Sequence, residues 1–553
     1  MRERSAPWPL RLPQTSGHGW TATGDEHVMM NTTITRRAAL AALAAGAAAG
    51  FLRPRAAGGR PRRNTIPQAA GASTASAGDM PLHYLSLREV ASRIEAREIS
   101  SAELTEDQLD RIAAVDGRLR SYATVMAEPA RAAALEADRE IAAGNYRGPL
   151  HGVPIAVKDL CYTRGVRTMG ATPVLADFVP DYDATVVERL TGAGAVLLGK
   201  LNLTEGAMAA YHPDFDVPVN PWDPGLWAGA SSSGSGVATA AGLCFGSLGS
   251  DTGGSIRFPS AQCGIVGIKP TWGLVSRYGV LELAGSLDHV GPMTRTVADA
   301  AIMLEAIAGA DPNDPTSLPG PAPRLLDGLD AGVAGLRLGY DRQYAANGVD
   351  PAVSGAVEGA LDVLVELGAA AVEVEVPEAP FVDWGTICAY ETVRAHADNY
   401  PLRASEYGPY FGGFLALGAT VTDAEYAAAM ERRADFTARF EAMLATVDAL
   451  VCPSTTTPFP MLDGMAYDTM GAFDEALAAI AQRFDPPLTG IQRFTAPADF
   501  AGTPTISVPC GFNAAGAPLS LQLVGRDRSE TTLCRLGHAY EQATEWHLRH
   551  PEV

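Results

Sequence analysis

A chain of 553 residues, 47% hydrophobic and only 19% charged, can bury a large core, and its 57 glycines suit closely packed elements. Its formal net charge of −21 offers no basic face to nucleic acid phosphates and disfavours anionic membrane surfaces. The seven cysteines are odd in number and scattered through apolar segments, which argues against a disulfide framework.

The N-terminal end reads as an address. From Thr35 the sequence TRRAALAALAAGAAAGFL places Arg36 and Arg37 ahead of a short alanine-rich apolar run, followed by RPRAAGG. That layout matches a twin-arginine export signal, and the run is too short and too weakly apolar to span a membrane. Met29 or Met30 as the start would bring the arginine pair close to the N-terminus, and small residues at Ala56 and Ala57, or around Ala70 to Ala72, suit cleavage. Export to the periplasm or the medium is the expectation; the alternative is an Ala/Arg-rich extension on a cytoplasmic protein. Residues 1–57 form this extension, residues 58–80 a linker rich in Gly, Ala, Ser and Arg, and residues 81–553 one domain without internal repeats.

Two capping boxes announce the first helices of that domain, Ser86 with Glu89 and Ser100 with Glu103. Residues 130–144 read as a third, alanine-rich helix, and VPIAV ending at Val157 as a short buried strand. AVLLG at 195–199, VSGAVEGALDVLVELG at 353–368 and AAAVEVEV at 369–376 continue the alternation of helix and strand expected of an α/β domain. The segment 380–440 fits least: Trp384, Tyr390, Tyr400, Tyr407, Tyr410, Phe411 and Phe414 precede the helical run DAEYAAAMERRADFTARFEAML. These aromatics either line a pocket or form a helical cap on the sheet.

Chemistry concentrates in two places. Lys158 ends the VPIAV strand, where a charged amine without a partner is costly; desolvation lowers its pKa and lets it accept a proton near neutral pH. The competing reading pairs it with Asp159. Between Gly229 and Pro259 the chain reads GASSSGSGVATAAGLCFGSLGSDTGGSIRFP. In GGSIR the glycines before Ser255 let the backbone turn and aim several N–H groups at one point, as an oxyanion hole requires. VATAAGLCF suits a helix with Ser231 at one end and Ser255 at the other, although a phosphate-cradling loop or a tightly packed helix remain open from the residues alone. No HExxH, CxxC, GxSxG, Walker or GxGxxG pattern competes; a Ser–His–Asp site would need His151, His212 or His289 brought in by the fold, and His151, before the strand, and His289, in SLDHVGP, read as hydrogen-bonded scaffold.

These motifs resemble the amidase signature family. Gly229, Ser231, Gly234, Asp251, Gly253, Gly254, Ser255, Arg257 and Pro259 fall on its fixed positions, and HGVPIAVKD, KLNLTE, NPWDP, CGIVGIKPTWGLVSRYGV, SLDHVGPMTRTVADAA, GTPTISVPCGF and LSLQLVGR extend the likeness through most of 81–553. The resemblance implies an α/β fold with one large mixed sheet between helical layers. It also implies a Ser–Ser–Lys triad: Ser255 as nucleophile, Ser231 as bridging serine after a cis peptide bond, and Lys158 as base. Backbone N–H groups of Thr252, Gly253 and Gly254, with Ser255 as a further donor, would form the oxyanion hole; Ser232 and Asp251 would support by hydrogen bonds and Arg257 by pairing with an acid. Where GGSSGGS is usual in the family, this chain has GASSSGS, with Ala230 and Ser233 in place of glycines. The implied reaction is hydrolysis of a small-molecule amide through an acyl-enzyme, without metal or other cofactor, by a monomer or homodimer. The alternatives are the catalytic subunit of a tRNA-dependent amidotransferase and a catalytically silent binding protein.

Overall fold

The computed structural model describes residues 80–553; the arginine pair, its alanine-rich run and all of the linker except Met80 lie outside them. Both capping boxes close as expected. Ser86 Oγ accepts from Glu89 N while Glu89 accepts from Ser86 N, and Ser100 and Glu103 repeat the exchange at 3.0 and 2.9 Å, starting helices Leu87–Glu95 and Ser101–Leu119. The alanine-rich helix is Ala127–Ala142, with Ala130, Ala134, Ala137 and Ile141 buried at helical spacing.

Eleven strands among the described residues form one sheet in the order β1-β3-β2-β4-β6-β5-β10-β11-β9-β7-β8. They are β1 (Tyr122–Val125), β2 (Pro154–Lys158), β3 (Val196–Leu201), β4 (Gly246–Asp251), β5 (Val266–Lys269) and β6 (His289–Thr294), then β7 (Arg337–Tyr340), β8 (Ala370–Glu373), β9 (Ala449–Pro453), β10 (Thr505–Phe512) and β11 (Pro518–Val524). The sheet is mixed: β2 runs parallel to both β3 and β4, whereas β4 pairs antiparallel with β6 and β10 antiparallel with β5 and β11. β2, β3 and β4 are buried along their whole length, so both faces carry helices. Ala156, Val196, Leu198 and Leu201 pack with Val237 and Ala238 on one face, while Ile155, Val157 and Leu197 join the larger core on the other. This is the alternation a strand imposes, shifted by one residue in β3 between Leu197 and Lys200, which brings Leu201 to the face of Val196 and Leu198.

The stretch between Ser231 and Ser255 departs from its expected form. Its helix covers only Ser233–Ala240, and the chain then returns as β4. Every residue of both elements is buried, so the Ser/Gly/Ala run carries no periodicity to separate helix from strand. In the segment 380–440 the pocket and the helical cap both occur, built from different residues. Phe411 and Phe414 are fully buried core on helix Pro409–Gly418, Tyr390 stacks on Tyr426 at 4.0 Å, and Trp384 and Tyr410 line a cavity.

Candidate active site

Strand β2 delivers Lys158 to the interior at the sheet's end. Its Nζ lies within hydrogen-bond distance of three hydroxyls, Ser231 Oγ at 2.7 Å, Ser232 Oγ at 2.9 Å and Ser250 Oγ at 2.9 Å. Among the described residues it has no carboxylate partner, because Asp159 is held by Lys200 at 3.1 Å and by the Met169 N–H at 3.1 Å. Burial pushes the Lys158 amine down to about 7, against the weaker opposing influence of Cys161, Asp251 and Asp288. Gly249 makes room for this cluster: a Cβ there would lie 2.9 Å from Ser232 Oγ.

Ser231 and Ser232 lead into helix Ser233–Ala240, and the Ala230–Ser231 peptide bond is cis. Ser232 Oγ donates to the Ser250 carbonyl at 3.2 Å, so its proton is committed and it meets Lys158 as an acceptor. Ser233, one of the two departures from the family pattern, accepts from Tyr211 Oη at 2.9 Å. The Ser232 N–H donates to the Ser255 carbonyl at 3.3 Å, which ties the two serine segments together. Ser255 Oγ has no hydrogen-bond partner among the described residues.

The backbone from Asp251 to Ser255 is fixed through its carbonyls. His289 Nδ1 lies 3.2 Å from the Asp251 carbonyl, Trp384 Nε1 donates to that of Thr252 at 3.0 Å, Thr495 Oγ1 to that of Gly253 at 2.7 Å, and the Phe258 N–H to that of Gly254 at 2.7 Å. In a trans peptide the following N–H points the opposite way, so each partner also sets the direction of one donor. The Gly254 N–H departs from its expected role: it donates to Asp251 Oδ1 at 2.6 Å. The N–H groups of Thr252, Gly253 and Ser255 have no acceptor among the described residues. Gly253 needs its missing side chain, since a Cβ would lie 2.5 Å from the Trp384 ring.

Arg257 opens helix Arg257–Cys263, fully buried, and binds two acids: Asp251 through Nε at 3.0 Å and Nη2 at 2.9 Å, and Asp499 at 2.7 Å. Although burial opposes its ionisation, the Arg257 guanidinium holds Asp251 well below the usual carboxylate range. Asp251 in turn accepts from the N–H groups of Gly254 and Ile256 and braces the turn around Ser255. His151 Nδ1 accepts from the Arg147 N–H with Glu140 3.0 Å from its Nε2, and His212 accepts from the Asp214 N–H.

Sequence reasoning missed Ser250, Asp288, Thr495 and Asp499. Asp288 accepts from Thr252 Oγ1 at 2.6 Å and from the N–H groups of Leu283 and Ala284, and burial pushes it up to about 7. Its signal stood next to His289 in SLDHVGP. Thr495 and Asp499 come from more than 200 residues away in the chain, beyond any local pattern.

A cavity of about 70 Å³ opens over Ser255, Thr252 and Gly253, walled by Trp227, Phe258, Trp384, Tyr410 and Phe473. A larger one, about 250 Å³, reaches Ser250, Asp288 and His289 and touches neither Ser255 nor Gly253. The first is the space in which a group bound at Ser255 would lie.

The sheet that carries this site is that of hydrolases acting on carbon–nitrogen bonds other than peptide bonds. The chain belongs to the amidase family, whose model matches residues 103–534. It is 48% identical over 473 residues to "Putative amidase AmiD" of Mycobacterium tuberculosis, covering 85% of this chain and 96% of that protein. It is 40% identical over 499 residues to a glutamyl-tRNA(Gln) amidotransferase subunit of a Roseiflexus species, covering 85% and 99%. The solved structure of native peptide amidase from Stenotrophomonas maltophilia matches with a TM-score of 0.71 at 32% identity, over 84% of this chain and 98% of that one.

Proposed function

We propose that this amidase-family hydrolase cleaves a carboxamide through Ser255 as nucleophile, Ser231 as proton bridge and neutral Lys158 as base. The observation that carries the reading is the buried Lys158 amine, 2.7 Å from Ser231 Oγ and surrounded by hydroxyls instead of a carboxylate. Ser232 is committed as an acceptor; with the two N–H groups of the neutral amine given to Ser232 and Ser250, its lone pair takes the Ser231 proton while Ser231 takes one from Ser255. Ser255 Oγ then bonds to the carbonyl carbon, and the oxyanion meets the N–H groups of Thr252, Gly253 and Ser255. Each such preorganised donor is worth roughly 2.7–4 kcal/mol. The C–N bond breaks as the proton returns through Ser231 to the departing nitrogen, and water releases the acid from Ser255 by the same relay.

The decisive variant is Ser255→Ala. It should lose amide turnover by at least about 10⁴-fold and lose labelling by a fluorophosphonate, with folding retained. Labelling elsewhere, or turnover close to that of the parent chain, would remove Ser255 from the reaction. The likeness to the amidotransferase protein supports a second reading, in which partner subunits are required; release of ammonia by the purified chain alone speaks for the first.

Export rests on the sequence around Arg36 and Arg37. It suits a protein whose seven cysteines are all buried and unpaired, because no disulfide has to form outside the cytoplasm. Replacing both arginines by lysine should retain the protein in the cytoplasm on fractionation, and unchanged release would contradict the export reading.

A further inference from the structure

The cavity over Ser255 contains an acid that no cation answers among the described residues. Asp474 lies on helix Met470–Ala481, and Phe473, Asp474 and Leu477 line the cavity together. Among the described residues Asp474 has neither ion pair nor hydrogen bond, and no Lys, Arg or His lines the cavity. Other acids around the site are answered: Asp251 by Arg257, Asp288 by Thr252 and two backbone N–H groups, and Asp383, on the helix that carries Trp384, by Arg432 at 2.6 Å. Asp474 is half-buried, and this burial pushes its carboxyl up to about 6, the direction expected of an acid partly withdrawn from water with no cation beside it.

The walls complete the arrangement. Phe473 and Tyr410 lie edge to face at 5.3 Å, and Trp227 stands 6.4 Å from Phe473 and 6.5 Å from Phe258. Aromatic faces attract cations, most strongly where water is excluded. An aromatic enclosure with one unanswered carboxylate is complementary to an ammonium ion and penalises a second anion.

We propose that this cavity selects amides whose acyl group carries an ammonium ion, with Asp474 as the counter-ion and the aromatic rings as the enclosure. The inference rests on the amide-hydrolase reading above. With a primary amide only ammonia leaves, so the acyl group is the part large enough to reach Asp474 from Ser255.

The test compares isosteric primary amides on the full chain: 4-(aminomethyl)benzamide against 4-ethylbenzamide, and 4-aminobutanamide against pentanamide. At least one ammonium amide should be preferred in kcat/KM by about tenfold or more. Asp474→Asn should reduce turnover of that ammonium amide by about 10- to 100-fold and change its neutral partner by less than about twofold. Neutral partners used equally well or better in both pairs, or an equal loss for both members, would overturn the assignment. Should none of the four amides turn over, protection of Ser255 from fluorophosphonate by benzylammonium serves instead. Protection stronger than that by benzyl alcohol, and lost in Asp474→Asn, supports the proposal; absence of protection overturns it. Failure of the fluorophosphonate to label Ser255 at all would sink the hydrolase reading itself, which separates the two failures.

Discussion

Two buried lysines on neighbouring strands have opposite surroundings. Register places Val157 of β2 beside Lys200 of β3 and Lys158 beside Leu201, so strand alternation sends the two lysines to opposite faces of the sheet. On one face Lys200 meets Asp159 at 3.1 Å and Thr168 at 2.7 Å, an ion pair that serves the fold. On the other, Lys158 meets three serines and, among the described residues, no acid. The sequence VKD suggests a pair between neighbours, and the pleat forbids it: Asp159 follows Lys158 and turns to the other side. Burial alone therefore does not make a base; the partner that burial leaves within reach decides it.

The contrast is broken most strongly by Lys158→Met. That change should lower kcat/KM by about 10²–10⁴-fold, the contribution of a positioned base, while the protein still folds. In the unfolded chain Lys158 holds its proton up to its ordinary value of 10.5, but in the fold it gives it up near 7. Its burial therefore costs stability that grows as pH falls from 10.5 to about 7 and is constant below, and the variant should gain on the parent chain over that window in thermal melts. Lys200→Met should act the other way round. It leaves Asp159 buried and unpaired, costing about 3–5 kcal/mol of stability, while the turnover per folded molecule falls far less than in Lys158→Met. Equal loss of turnover in both variants, measured on folded protein, would erase the distinction.

What the sequence made legible was local. Ser86 and Ser100 with their glutamates marked two helix starts, the run VSGAVEGALDVLVELG marked helix Pro351–Glu366, and the glycines around Ser255 marked a tight turn. Strands β4, GSLGSD, and β6, HVGPMT, were illegible because Gly, Ser and Pro carry no β signal, and only pairing in the middle of the sheet makes them strands. The site divides in the same way. Lys158, Ser231 and Ser255 stood in local motifs, but the hydroxyl of Ser250, the carboxyl of Asp474 and the bond from Thr495 to Gly253 exist only once distant segments meet. The Gly254 N–H shows the limit from the other side: its motif position suggested an oxyanion donor, and the neighbouring Asp251 claims it.

The most direct measurement is the titration of Lys158 itself, followed by NMR in protein carrying ¹³C at the lysine ε-carbon and assigned by the signal missing in Lys158→Met. A midpoint near 7 is the expected result, an amine neutral in a large share of molecules at neutral pH and able there to take the Ser231 proton. A midpoint near the ordinary 10.5 would mean a charged lysine among serines, unable to serve as the base, and would contradict the account.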